Sequence, residues 1–197
     1  MTPPPFAWPH ALIFWAVYVW AFIPEMRILG RAREGAREGD SKDRGSVRVM
    51  MAGMTIALIL AFPIAFLERS AFPAASCRWL FVAGIVLIVV GSLLRRYCWR
   101  TLGEYFTGDV RVRADQPIIR TGPYSLVRHP SYSAGLLMHA GIGLALCNWL
   151  SLGLLTVAAI AAYGYRVRVE ERALLDTVGE PYRTYMRERK RFIPYVF

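Results

Sequence analysis

Two polar clusters carry side chains suited to holding a charged ligand, and they flank a long run without a formal charge. The first is Arg120 to Gly135, RTGPYSLVRHPSYSAG, with two prolines, two tyrosines, two arginines and a histidine. The second, Arg166, Arg168, Glu170, Glu171 and Arg172, begins where the uncharged run ends. His129-Pro130 keeps His129 out of the helical region, so a helix is predicted to start at Pro130, with Ser131 and Tyr132 in its first turn. A first turn offers backbone N–H groups and the positive end of the helix dipole, which suit a carboxylate or phosphate. On a helix, Arg166 and Glu170 share a face, so one site could receive both a cation and a carboxylate. Plainer structural readings compete: Pro130 merely starts a helix while Arg128 snorkels to headgroups, and Arg166 and Glu170 form an i, i+4 ion pair on a solvated helix end.

The elements that must position these clusters follow from hydropathy. Trp8–Ile23, Val49–Leu67 and Trp79–Leu94 are apolar runs ending at charge or proline, each near the ~17 to ~20 residues that cross a bilayer. Ser131 to Tyr165 has no formally charged side chain and would be about 50 Å long as one helix, too long for one crossing. A hairpin turning at Cys147-Asn148-Trp149 is therefore expected, which makes five transmembrane helices. Of the 24 Lys and Arg residues, 22 fall between Arg27 and Arg48, between Arg95 and Arg128, or from Arg166 onward. The positive-inside rule then places those segments and the C-terminus in the cytoplasm and the N-terminus outside. Trp8, Trp15, Trp20, Trp79 and Trp149 lie at or near span ends, as interfacial anchors do. Both polar clusters meet on the cytoplasmic side.

Composition agrees. The chain is 55% hydrophobic and 19% charged, too apolar for an ordinary soluble domain and of a length for one domain, here a single membrane domain over 1–197. Its net charge of +10 is dispersed among apolar runs without a basic helix, zinc spacing or RNA-binding aromatic signature, so nucleic acid is not expected as a partner. Cys77, Cys98 and Cys147 are far apart without a C-x-x-C pair. They are expected to be buried small hydrophobes, with neither a disulfide framework nor a metal site. The start has no basic leader or small-residue cleavage site, so the first apolar run is expected to persist. Ala32-Arg33-Glu34-Gly35 and Ala36-Arg37-Glu38-Gly39 form a near repeat, read as a solvated connector without chemistry.

Leu102-Gly103, Phe106, Gly122-x-Tyr124, Arg128-His129-Pro130-Ser131-Tyr132, Glu170-Glu171-x-x-Leu174, Gly179-Glu180-x-Tyr182-x-x-Tyr185 and Pro194 together resemble the isoprenylcysteine carboxyl methyltransferase family. The resemblance runs from about Gly91 to the end. It separates a family-like cofactor-binding half, 91–197, from the N-terminal spans of 1–90, assigned to the substrate side. It implies an all-α integral membrane methyltransferase that binds S-adenosyl-L-methionine in a cytoplasmic pocket built by the C-terminal half, and a lipid-borne acceptor, in eukaryotic members the carboxylate of a prenylated cysteine. By the same resemblance the cofactor would meet Gln116, Pro117, Ile118, Ile119, Tyr124, His129, Pro130, Ser131, Tyr132 and Glu170. Arg166 would face the substrate, so that Arg166 and Glu170 carry catalysis, with no metal. Members similar to the eukaryotic enzyme have a histidine followed by Leu-Val where this chain reads Gln116-Pro117-Ile118-Ile119, which exchanges a titratable ring for an amide.

The expected ligands have chemistry that these residue types can meet. His129 and the first-turn N–H groups suit the cofactor's carboxylate, Glu170 its hydroxyls or ammonium, and Tyr124 or Tyr132 its adenine or sulfonium. A carboxylate acceptor is ionised at neutral pH and needs no general base, so alignment, with Arg166 orienting the acceptor, supplies most of the rate. Other readings remain at this level: a sterol-reductase-like membrane enzyme using NADPH, a phospholipid N-methyltransferase with Glu171 as proton acceptor, or a non-enzymatic membrane subunit. The expected partners are membrane lipids and a lipophilic or lipidated substrate, with no protein partner. Multi-pass insertion in a prokaryotic inner membrane is the expected location.

Overall fold

A computed structural model describes residues 2–35, 43, 45–106, 112 and 116–194. It is helical: α1 His10–Gly35, α2 Ser46–Ile64, α3 Ala74–Leu102, α4 Pro130–Ala145, α5 Trp149–Thr177 and the short α6 Glu180–Glu188. All five apolar runs are helices. α2, α3 and α5 are long and apolar enough to cross a membrane, whereas the apolar parts of α1 and α4 are shorter. Two helices outrun their apolar segments, α3 past Leu94 to Leu102 and α5 past Tyr165 to Thr177, whereas α2 stops at Ile64, short of Leu67. A bilayer limits where side chains must be apolar, not where a helix ends, and the Arg- and Glu-bearing continuations are good helix formers.

α3 packs on α4, and α5 on α2 and α4. The α3–α4 contact is close because glycine faces backbone: a Cβ on Gly91 would stand 2.7 Å from the Ala134 carbonyl oxygen, and one on Gly141 2.7 Å from that of Gly84. Small residues that let backbones approach are the common glue between apolar helices, where lipid offers no hydrophobic driving force. α1 and α2 meet through rings, with Trp15 stacked on Phe62 at 5.6 Å and Phe14 edge-on to Phe62 at 6.4 Å. Trp8 and Trp79 project outward, 80% and 71% exposed, as anchoring requires.

The hairpin turns where expected, at Cys147-Asn148, with Cys147 at φ +56° and the Asn148 side chain capping α5 through the Ser151 N–H at 3.1 Å. Asn148 also donates to the Ile64 and Leu67 carbonyls and to Ser70 Oγ, and Ser151 Oγ donates to the Ala61 carbonyl at 2.8 Å. This seam ties the turn to the end of α2. One expectation fails here: Cys77 and Cys147 form a disulfide, with Cα atoms 5.4 Å apart across 70 residues of sequence. Folding α3 against α4 brings the start of α3 to the α4–α5 turn, a proximity that spacing along the chain does not encode. Cys98 is buried and free, as expected. The near repeat also departs from a connector: Ala32–Gly35 continues α1, while Ala36–Gly39 lies outside the described residues.

Candidate functional site

Where the other end of the hairpin opens, the helices part around a cavity of about 570 Å³. Its wall is mixed. The α1 and α2 side is largely apolar and rich in methionine, with Met26, Met50, Met51 and Met54 beside Glu25 and Thr55, while Gln116–Ile119, the 122–132 loop and the far end of α5 bring further polar groups.

Sequence decides the loop locally. Gly122 adopts φ +56°, a value open to glycine, and Gly122–Ser125 forms a 3-10 turn that buries Pro123 and Tyr124. α4 then starts at Pro130, as predicted. The residues after α6 fasten this loop. Arg128 and His129 N–H groups donate to the Lys190 and Arg191 carbonyls at 2.8 and 3.0 Å, Arg128 Nη1 to the Met186 carbonyl, and Ser133 Oγ to the Phe192 carbonyl at 2.8 Å. Tyr185 Oη donates to the Tyr124 carbonyl at 2.6 Å. Burial pushes the Tyr185 phenol up to about 12 and also raises those of Tyr124 and Tyr182, so all three are protonated at neutral pH.

Of the residues singled out in the sequence, Gln116, Pro117, Ile118, Ile119, Tyr124, His129, Ser131, Tyr132, Arg166 and Glu170 all line this cavity. Pro130 does not; it is buried as the first residue of α4. Tyr132 Oη donates to Glu170 Oε2 at 2.8 Å and accepts from Arg166 Nε at 3.3 Å, so one hydroxyl links the two charged residues of α5. The first turn of α4 offers less than expected. The Tyr132 and Ser133 N–H groups both bond to the His129 carbonyl, and proline has none to give. Among the described residues, the Ser131 N–H is the first-turn donor left without an acceptor.

The two neighbouring glutamates divide. Glu170 faces the cavity. Glu171 is buried away from it and receives Arg128 Nη2 at 3.1 Å, His129 Nε2 at 3.2 Å and Arg191 Nη2 at 2.8 Å. A turn of about 100° per residue sends adjacent side chains to different faces, and a carboxylate held by two guanidinium groups and a ring nitrogen, its pKa lowered by them, is not a proton acceptor at neutral pH. The expectation of Glu171 as a spare base beside the site is therefore overturned, and its role is to hold the loop on α5. His129 is correspondingly fixed through Nε2.

Arg166 is no solvated helix end. It is buried, and its Nη1 is paired with Asp43 and donates to Ser46 Oγ, at the start of α2. Sequence reading missed Asp43, and it missed a second tie in the wall. Arg95 pairs with Glu25 of α1, Nη2 to Oε2 at 2.7 Å, and donates from Nη1 to Ser131 Oγ at 2.7 Å and the Ser131 carbonyl at 3.0 Å. Glu25 and Arg95 stand at the ends of apolar runs, a signal many loops share, while Asp43 lies among other charges and carries none. Among the described residues no group of three His, Cys, Asp or Glu could hold a metal.

Residues 84–176 match the isoprenylcysteine carboxyl methyltransferase (ICMT) family. The chain is 29% identical over 161 residues to protein-S-isoprenylcysteine O-methyltransferase B of Arabidopsis thaliana, covering 77% of this chain and 82% of the plant protein. It is 30% identical over 146 residues to the probable protein-S-isoprenylcysteine O-methyltransferase of Oryza sativa subsp. indica, covering 70% and 76%. Among solved structures it is similar to the eukaryotic intramembrane Ras methyltransferase ICMT, with a TM-score of 0.64 at 29% identity over 72% of this chain. It spans about half of that structure's chain, 52%.

Proposed function

Since the chain belongs to the isoprenylcysteine carboxyl methyltransferase family, we propose that it is an S-adenosylmethionine-dependent methyltransferase of a carboxylate borne by an isoprenylated or similarly lipophilic acceptor. The observation that carries this reading is one cavity in which a methionine-rich apolar wall on α1 and α2 faces Glu170, Arg166, Gln116 and the α4 first turn.

The residues present fit the cofactor. A volume of about 570 Å³ lies within the ~300–1,000 Å³ of small-molecule pockets, and the wall supplies an acceptor for hydroxyls or an ammonium in Glu170, a donor for a carboxylate in the Ser131 N–H, and apolar faces in Ile118 and Ile119. Gln116 gives an amide where a histidine stands in the eukaryotic pattern, a side chain that both donates and accepts. Bound there, S-adenosylmethionine supplies a methyl group already activated by its sulfonium. Tyr124 and Tyr132 present ring faces for cation–π contact, and Tyr132 fixes the Glu170 carboxylate through its hydroxyl. Arg166 orients the acceptor carboxylate, which attacks as the anion, so the site needs no base. That suits a wall where Glu171 is wholly engaged, and it disfavours methylation of an amine. Alignment is then the main contribution of the protein to rate.

Five crossings are part of the reading, with α1 and α4 completing the three longer spans, the N-terminus outside and the C-terminus in the cytoplasm of a prokaryotic inner membrane. The support is the partition of basic residues, 22 of 24 on one side. The Cys77–Cys147 disulfide then lies on the outer side, where disulfides persist.

The test is purified protein in lipid vesicles given labelled S-adenosylmethionine and N-acetyl-S-farnesylcysteine. Base-labile label on the acceptor is expected, no label on its methyl ester, and no stabilisation by NADPH. Stabilisation by NADPH without methyl transfer would favour a reductase.

A further inference from the structure

Arg166 meets the cavity on one side and is held from the other. Asp43, which does not reach the cavity wall, pairs with Nη1 and is itself fixed by Ser46 Oγ at 2.7 Å and the Val47 N–H at 3.1 Å. Asp43 and Ser46 are buried, 8% and 0% exposed. The carboxylate behind the guanidinium is thus built into the start of α2 and brought 123 residues along the chain to α5. We infer that Asp43 is a positioning residue that sets the charge of the acceptor site, neutralising Arg166 so that it orients the acceptor carboxylate without over-stabilising it. This rests on the carboxyl-methylation reading above.

The reason lies in the charge change of the reaction. When a carboxylate is methylated, an oxygen lone pair forms the new O–C bond, the electron pair of the breaking C–S bond leaves on sulfur, and no proton moves. The acceptor passes from an anion to a neutral ester. A lone buried guanidinium would bind the anion strongly and lose that interaction as the transition state discharges it, so tight ground-state binding would slow the step. It would also be left with its buried charge less fully compensated beside the ester, with Glu170 reached only through Tyr132 Oη. With Asp43 behind it, Arg166 is paired before, during and after transfer. It can still direct the acceptor by the geometry of its planar fork. Tyr132 Oη, which accepts from Nε, completes the hold on that plane.

The experiment compares wild type with Asp43→Asn in lipid vesicles, measuring binding of N-acetyl-S-farnesylcysteine without cofactor and then steady-state methylation. Asn keeps an acceptor for the Val47 N–H. Asp43→Asn is expected to bind the carboxylate probe about tenfold more tightly, one charge-assisted hydrogen bond's worth. KM and kcat should both fall about tenfold, leaving kcat/KM within about threefold. The carboxamide analogue of the probe should bind wild type and variant alike. Ser46→Ala, which removes a partner of both Nη1 and Asp43, should move the same quantities in the same direction by about two- to threefold. Wild type alone gives a further check: it should prefer the carboxylate over the carboxamide by less than about tenfold, where an unneutralised arginine would prefer it a hundredfold or more. Unchanged or weaker carboxylate binding in Asp43→Asn, a kcat/KM loss beyond about tenfold, or a hundredfold wild-type preference would overturn the inference. Wild type that binds the probe but transfers no methyl group to it would overturn the carboxyl-methylation reading, and this inference with it, whereas turnover with an unmoved Asp43→Asn overturns this inference alone.

Discussion

The two ends of the α4–α5 hairpin bury polar groups for opposite purposes. At the turn, Asn148, Ser70 and Ser151 spend their hydrogen bonds on one another and on carbonyls of α2 and the segment after it, and the disulfide closes the same corner. At the open end, Tyr132, Glu170 and Arg166 are linked to one another yet still face a cavity. A closed network in an apolar medium specifies packing, because an unmade hydrogen bond there is costly. A network that leaves faces toward a cavity is organised for a ligand. Substitutions at the turn should therefore cost stability and spare chemistry, and those at the open end should cost binding or rate.

The largest effect is expected at the open end. Arg166→Ala should cut methyl transfer at least ~100-fold while leaving S-adenosylmethionine affinity within about twofold by calorimetry, the scale lost with a positioning clamp. Arg166→Lys should recover little, since a point charge cannot replace the planar fork. Equal losses of cofactor affinity at Arg166 and Glu170 would break the division between acceptor and cofactor sides.

At the turn, Cys77→Ser should lower unfolding free energy by about 4 kcal/mol in the loop-closure account of a 70-residue span. It should leave the rate per folded molecule unchanged. A variant that folds normally but turns over poorly would show that the corner communicates with the cavity. Between these in kind, Glu170→Gln replaces a charge-assisted hydrogen bond with a neutral one. Cofactor affinity should fall by about tenfold in calorimetry, with the acceptor KM unmoved.

How far the sequence foretold each end follows from the range of the forces involved. The start of α4 was readable because His129-Pro130 acts on its own backbone, and the turn at Cys147-Asn148 because an uncharged stretch too long for one crossing must reverse. Hydropathy likewise announced the apolar helices, of which three, among the described residues, are long and apolar enough to cross a membrane. The disulfide was not readable, since its cysteines meet only after α3 packs on α4. Neither was the Asp43–Arg166 pair, which joins the starts and ends of elements far apart in sequence. Glu170-Glu171 shows the limit within a single helix: the motif flagged both residues, but only the packed phase of α5 reveals that one serves the cavity and the other the loop. The first-turn N–H groups of α4 were overcounted because His129 takes two of them through its own carbonyl.

The smallest effect lies in α6, where the same comparison recurs between two tyrosines one turn apart, both 3% exposed. Tyr185 Oη donates to the Tyr124 carbonyl at 2.6 Å, whereas Tyr182 Oη is buried without a hydrogen-bond partner among the described residues. Tyr185→Phe strands a buried carbonyl and should cost about 1 kcal/mol at neutral pH, read from the unfolding midpoint in detergent. Tyr182→Phe removes an unsatisfied hydroxyl and should be neutral or slightly stabilising. Alkaline titration sharpens the contrast. Burial raises the Tyr185 phenol to about 12 from its ordinary value of 10.0 and raises that of Tyr182 as well. A raised pKa means that the folded state holds its protons more tightly, so the stability from these phenols is fully present below about pH 10 and is lost as pH climbs through the folded values. Wild type should thus lose stability above about pH 10, and each Phe variant should lose less, while only Tyr185→Phe starts lower at pH 7. Equal costs for the two substitutions at neutral pH would mean that the bond to the Tyr124 carbonyl does not hold the loop, and that the cavity's rim is fastened by the Glu171 cluster and the backbone ties to residues 186–192.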